Sequence, residues 1–380
     1  MIDIEYKNIF DEFIKKYEEI HVNPWHEISK EELNKIYEEL VNSMDIDNEC
    51  KFKYFMDYII KRLSGMKDAH TKFSCVRPIP MNFKIFGDDV LINYPSKYRG
   101  AKLLSINEVS ISKVLDEIDN VITYGTVGRK KHESERALFN KMLLFGLPSF
   151  RDTDKLIYKL ELNNVVIERE FIKKESYNDL FSYDEYEFGH PGNYKIMNNC
   201  LVYEHSSVQN KFKDQIEESI NKLRSEDLSD IKALIIDIRG NWGGNSALNK
   251  LVMDFVSEQK NKKLICLTDY RVFSAGRYAL RDLIELGATT IGEEIATPIN
   301  CYGNSNWFEI ENRQFSVSEC YFNPFERRKV SSKQDYKTIE GLEKEDIIFK
   351  PDVLVDQNED DYINGVDTIL EYAIKYANEK

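Results

Sequence analysis

Long apolar runs are missing from this chain. No segment approaches the roughly 20 consecutive apolar residues that span a bilayer. The first residues, Met1-Ile2-Asp3-Ile4-Glu5-Tyr6-Lys7, are charged and lack the apolar centre of a secretory signal. Basic charge is in deficit too: formal net charge is −14 and the pI about 5.1. That balance argues against nucleic acid or an anionic membrane as partner. Cysteine is sparse and never spaced as Cys-x-x-Cys. Cys50, Cys75, Cys200, Cys266, Cys301 and Cys320 therefore read as free thiols in a reducing compartment, not as a zinc site or a disulfide framework. Neither repeats nor low-complexity tracts stand out. The expected setting is the cytoplasm, with no metal and no cofactor; self-association into a homo-oligomer is left open.

What is present fits an enzyme of more than one lobe. A chain of 380 residues has room for two or three domains with a sizeable core. From the N-terminus to about Gly65 apolar residues recur at helical spacing. Ile9, Phe10, Phe13, Ile14 and Tyr17 form one stripe, and Phe55, Tyr58, Ile59 and Leu63 another. The next region mixes strands and helices, and Leu156 to Phe171 alternates like a hairpin turning at Asn163-Asn164. From Gly192 the pattern becomes α/β, closed by a single helix expected over Asp361 to Ala377. The division read from this is a helical region over 1–72, a mixed lobe over 73–191 and a catalytic core over 192–380.

Within that core, Asp237-Ile238-Arg239-Gly240-Asn241-Trp242-Gly243-Gly244-Asn245 and Phe273-Ser274-Ala275-Gly276 carry the chemistry. Ala233 to Ile238 is an apolar run suited to a strand buried on both faces, and paired glycines follow it. Glycine lets consecutive backbone N–H groups face a ligand, because no Cβ blocks the approach. A second apolar strand, Leu264 to Leu267, leads to Ser274, and a helical pattern then runs to Gly287. Ser274 thus belongs to a strand-to-helix turn, where a hydroxyl is exposed and negative charge is favoured. Each feature alone has an ordinary structural reading, Ser as an N-cap and Gly-Gly as a turn. Together, at the carboxyl ends of neighbouring strands, they mark where α/β proteins place their sites.

These motifs resemble the tail-specific (C-terminal processing) serine peptidase family. Two further elements match: Gly287-Ala288-Thr289-Thr290-Ile291-Gly292-Glu293, and Lys350-Pro351-Asp352-Val353, which is similar to that family's Pro-Asp strand. The resemblance implies a crotonase/ClpP-like catalytic core behind an N-terminal helical region. It also implies a PDZ-like or family-specific middle lobe, for which Tyr98 to Ile118 supplies the strand, Ile-Asn-x turn and helix of a PDZ second half. Of the family's two designs, the Ser-Lys dyad is excluded by residue type, since Gly292 to Asn300 contains no lysine. The tricorn-like Ser-His-Glu design is the one implied. Its Asp-x-His-Thr motif appears as Asp68-Ala69-His70-Thr71.

The implied roles are Ser274 as nucleophile, His70 as general base and acid, and Glu345 as the group orienting His70. A serine hydroxyl needs such a base, and imidazole titrates near the working pH. Among the other histidines, His21, His26 and His132 read as solvated surface and His190 as a turn residue. His205, at the end of a strand over Asn199 to Glu204, is the rival to His70. Glu345 stands six residues before Pro351, with Glu343 and Asp346 as neighbouring alternatives. The implied oxyanion donors are the N–H groups of Gly243 and Ala275. Gly244, Trp242 and Arg277 line the substrate side, although a surface salt bridge is the plainer reading of Arg277. The expected activity is serine-type hydrolysis of peptide bonds in unfolded or C-terminally exposed polypeptides.

Departures from the family pattern at Ala69, Trp242 and Arg277 sustain a second reading, a non-catalytic ligand- or peptide-binding protein on the same fold. Retinoid-binding proteins of the photoreceptor matrix show that resemblance to this family does not guarantee cleavage. A third, an acyl-CoA hydratase-like enzyme with a backbone oxyanion hole, is disfavoured by the Ser-His-Glu set and the Pro-Asp strand.

Overall fold

The computed structural model describes residues 1–174, 190–337 and 347–379, which form helices and several sheets in a mixed α/β architecture. The chain divides into two compact units. One comprises Met1–Phe181, Asn300–Phe322 and Lys329–Glu345, the other Ser182–Ile299, Asn323–Arg328 and Asp346–Lys380.

The first unit opens with α1 (Ile4–Ile20), α2 (Lys30–Ser43) and α3 (Glu49–Ser64). The first apolar stripe is buried throughout, and in the second only Tyr58 stays partly exposed. After α3 come β1 (Lys72–Ser74), β2 (Asn82–Phe86), β3 (Asp89–Tyr94), β4 (Lys102–Ile106) and β5 (Val109–Ser110). Helices α4 (Ile111–Asp119), α5 (Val127–Phe139) and α6 (Lys141–Leu144) follow, then β6 (Lys155–Leu162) and β7 (Val165–Ile172). One antiparallel sheet has the order β2-β3-β4-β6-β7. The β6–β7 hairpin turns at Asn163 and Asn164, whose φ angles of 52° and 62° are those a two-residue turn of this kind requires.

The second unit carries β8 (Tyr194–Met197), β9 (Cys200–Glu204), α7 (Lys213–Ser225), β10 (Ala233–Asp237), α8 (Asn249–Glu258), β11 (Lys263–Thr268), α9 (Gly276–Glu285) and β12 (Thr289–Gly292). The chain then returns to the first unit as β13 (Cys301–Ile310), β14 (Arg313–Asn323) and β15 (Arg328–Val330), followed by α10 (Lys333–Lys337). There β14 pairs antiparallel with β1, setting Phe73 opposite Phe315 with ring centroids 4.7 Å apart. This pairing anchors the segment that begins at His70.

The chain ends with β16 (Val353–Leu354), α11 (Glu359–Ile363) and α12 (Thr368–Asn378) in the second unit. The helix expected over Asp361 to Ala377 is therefore two helices. Gly365 adopts φ 75° between them, and the Asp367 carboxylate caps α12 by accepting from Leu370 N at 3.0 Å. The second unit's sheet runs β16-β12-β11-β10-β9-β8, parallel except for β8. Its central strands are buried on both faces, as the apolar run predicts. Leu234 and Ile236 of β10 pack with residues of α7, α8 and α9, while Ala233 and Ile235 pack with Ile369, Leu370, Ala373 and Ile374 of α12. Side chains alternate across a strand, so a continuous apolar run fills both layers. The Pro-Asp motif fixes the edge: Asp352 accepts from Thr290 N and Oγ1, each at 2.8 Å, tying β16 to β12. Among the described residues no helix is long and apolar enough to cross a membrane.

Candidate active site

Three loops at the carboxyl ends of β9, β10 and β11 build the nucleophile region. An ion group secures the second. Arg239 donates to Asp237 (2.9 and 2.6 Å) and to Asp367 (2.8 and 2.7 Å), which explains the Asp-x-Arg spacing structurally. The buried Asp269 joins the second loop to the third, accepting from Gly240 N at 3.0 Å and Arg271 N at 2.9 Å. Burial alone would raise its carboxyl pKa. The Arg271 charge and these hydrogen bonds outweigh it and hold the group below the usual carboxylate range.

Ser274 lies between β11 and α9, partly buried, with φ 48°. A non-glycine residue in this left-handed region costs on the order of 1 kcal/mol and more, and such strain clusters at functional sites. The turn is held by Phe273 N donating to Asn241 O (2.9 Å) and Gly276 N donating to Phe273 O (2.8 Å). Gly243 packs directly on it. A Cβ there would lie 2.5 Å from Ala275 N and 2.8 Å from Ser274 Cβ, so only glycine fits. Ser274, Ala275 and Gly243 are thus brought together. The Gly243 N–H donates to Asn241 Oδ1 at 3.0 Å, so it can serve a substrate oxyanion only as a shared donor or after release. Gly244 is exposed in the same turn, and Trp242 meets Phe273 edge-on with centroids 6.2 Å apart.

Arg277 departs from expectation. It is fully buried, and Nη1 donates to the carbonyls of Pro298 (3.1 Å) and Ile299 (2.9 Å). The plainer reading of a surface salt bridge is corrected: from the first turn of α9, the guanidinium pins a neighbouring chain segment.

His70 belongs to the first unit and is buried in the turn after α3. Its backbone N–H donates to Asp68 Oδ1 (3.1 Å), and its carbonyl accepts from Ser316 Oγ (2.6 Å). Asp68 also accepts from Thr71 N and Oγ1 and from Ser318 Oγ, and His21 Nε2 lies 3.3 Å from its Oδ2. Burial pushes this carboxyl up, but the adjacent His21 and the Ser318 and Thr71 hydrogen bonds win and hold it well below the usual range. The Asp and Thr of the Asp-x-His-Thr motif therefore shape the turn that presents the histidine.

The surface placement expected for His21, His26 and His132 is corrected. His21 and His132 are buried, and the His26 side chain is 4% exposed. His21 and His26 stack at 5.1 Å, and both lie against Tyr302, a partner too distant in sequence to be foreseen. His190 is exposed. His205 is fully buried, with Nε2 2.8 Å from Asn249 Oδ1, and burial pulls its pKa down to about 4. Glu345, with Glu343 and Asp346, lies outside the described residues. All six cysteines are free. Among the described residues no group of three or more His, Cys, Asp or Glu side chains is placed to hold a metal ion.

No protein-family model and no curated protein sequence matches the chain. Solved structures do. Mature CPAF superposes with a TM-score of 0.65 at 10% identity, over 99% of this chain and 99% of that one. Mature CPAF complexed with lactacystin gives 0.66 at 11%, over 99% and 98%. At such identities the likeness shows a shared fold and nothing more.

Proposed function

We propose that the protein is a serine-type peptidase acting on unfolded or C-terminally exposed polypeptide through Ser274, His70 and Glu345. The observation that carries this reading is the Ser274 turn: a serine held at positive φ at a strand-to-helix junction, with Gly243 and Ala275 packed around it. Fold likeness to mature CPAF supports it, as does the motif resemblance to tail-specific peptidases. In the proposed reaction His70 accepts the Ser274 proton as Oγ attacks the scissile carbonyl. The developing oxyanion is met by the N–H of Ala275 and by the Gly243-Gly244 turn. His70 then protonates the leaving amine, water hydrolyses the acyl-enzyme, and Glu345 keeps the imidazole in one tautomer. Backbone donors and a Gly-Gly turn suit an extended peptide, with Trp242 and the exposed Gly244 on the substrate side.

The test is incubation of the full chain and of Ser274→Ala with a reduced, alkylated casein, reading new peptide termini by mass spectrometry. The reading requires cleavage by the parent and none by the variant. A well-folded parent that never cleaves, yet binds the same chain equally before and after Ser274→Ala, would favour the non-catalytic binder instead.

A further inference from the structure

Two buried polar side chains in the second unit are not used by the reaction proposed above: His205, just past the end of β9, and Asn249, the first residue of α8. Both are essentially inaccessible, and each touches the backbone around the nucleophile. The His205 carbonyl accepts from Asn241 Nδ2 at 2.7 Å, and Asn241 Oδ1 in turn accepts from Gly243 N. On its other side the His205 ring meets Asn249 Oδ1, and Asn249 Nδ2 donates to the Ala275 carbonyl at 3.2 Å. His205 is itself fixed by its N–H, which donates to Asp237 O at 2.7 Å. One residue thus meets both backbone segments that carry the proposed oxyanion donors, Gly243 through its carbonyl and Asn241, and Ala275 through its ring and Asn249.

The donor and acceptor count assigns the imidazole's protonation. A carbonyl only accepts, so the Asn249 atom facing Ala275 must be the amide nitrogen and the atom facing His205 the oxygen. That oxygen only accepts as well, so His205 Nε2 carries the proton. Among the described residues Nδ1 has no hydrogen-bond partner. Adding a second proton there would bury a positive N–H with nothing to receive it.

We propose that His205 and Asn249 are positioning residues for the oxyanion-binding turn, with His205 serving as a fixed neutral donor and never as the proton carrier. The role in turnover rests on the peptidase reading; the hydrogen-bond network does not. Buried amide networks of this kind hold backbone donors at the angle the transition state needs, without touching substrate.

The experiment compares the full-length parent with His205→Gln, His205→Phe and Asn249→Asp. Glutamine keeps a donor where Nε2 stood. Phenylalanine keeps the ring and removes the donor. Asn249→Asp preserves shape and the bond from His205 while presenting an acceptor to the Ala275 carbonyl. Amide hydrogen exchange over 273–278 should quicken about tenfold or more in His205→Phe and Asn249→Asp, with distant segments unchanged, whereas the Asn241 bond to the His205 carbonyl is kept in both. His205→Gln should recover most of that protection. For casein cleavage, the same two variants should lose about tenfold or more in kcat with KM nearly constant, and His205→Gln should keep the parent's pH inflection. Unchanged exchange over 273–278 for His205→Phe and Asn249→Asp would overturn the inference, whether or not the protein cleaves anything. So would a His205→Gln variant as impaired as His205→Phe, since the donor to Asn249 would then not be what positions the turn. If the exchange pattern is as expected but the parent cleaves nothing, the network stands and the peptidase reading falls.

Discussion

Gly243 and Ser274 are in such close contact that a single methyl group on the glycine would sit 2.8 Å from the serine Cβ. Gly243 also adopts φ 94°, which L side chains rarely adopt. Gly243→Ala should therefore cost about 1–3 kcal/mol of stability through strain and overpacking. It should cut turnover by about 10²-fold by displacing the oxyanion donors. Denaturant melts and initial rates on casein measure the two; an alanine variant with parental rates would separate the loop from the chemistry.

Stability should depend on pH through His205. Its folded pKa, about 4, lies below the ordinary ~6.5, so the unfolded chain binds the extra proton first as pH falls. The contribution is fully present above about pH 6.5 and is lost as pH drops through about 4, amounting to about 3 kcal/mol. Asp57 acts in the opposite sense in the same window. Burial, only partly offset by Lys53, pushes its carboxyl up to about 6, so its contribution is present at low pH and lost as pH rises through about 6. The difference between His205→Gln and the parent isolates the histidine. Melting temperatures across pH 4 to 7 should fall more steeply on acidification in the parent, and parallel curves would contradict the assignment.

The base is tested by kinetics. His70→Ala should lower kcat by about 10³-fold or more, because triad members act as a unit. Activity should rise with pH as the imidazole base loses its proton. Glu345→Gln should lower the rate, whereas Glu343→Gln and Asp346→Asn should not. A strong effect from Glu343→Gln instead would reassign the third member.

Arg277 offers a sharper division. Removing a buried guanidinium that serves the Pro298 and Ile299 carbonyls should cost about 2–4 kcal/mol in Arg277→Met while leaving KM unaltered. A raised KM with parental stability would instead place a substrate carboxylate on this residue.

Much of the fold was legible because local patterns dictated it. The buried β10, the Asn163-Asn164 hairpin and the helical stripes of α1 and α3 follow from period and turn chemistry over a few residues. Around the candidate site, the sequence located the Ser274 turn and its glycines but not what supports them. His205 reaches Asn249 across 44 residues and Asp68 reaches Ser318 across 250, distances over which no periodicity carries information. Charged neighbours made His21 look solvated, since Tyr302, one of the rings that bury it, is distant in sequence. Arg277 misled for the same reason: its partners are backbone carbonyls, which leave no signature in residue type. The buried Asn249 could have been suspected from a polar residue opening an apolar helix, although capping explains that pattern equally well.

Covalent labelling tests the central claim most directly. A fluorophosphonate probe reports whether Ser274 is an activated nucleophile without any knowledge of the natural substrate. Incubated with the folded full-length protein and mapped by peptide mass spectrometry, the probe should be found on Ser274 alone, and Ser274→Ala should abolish labelling. His70→Ala should slow it sharply while the protein remains folded. Labelling of the Ser274→Ala variant equal to the parent's, or attachment at a different serine, would contradict the account.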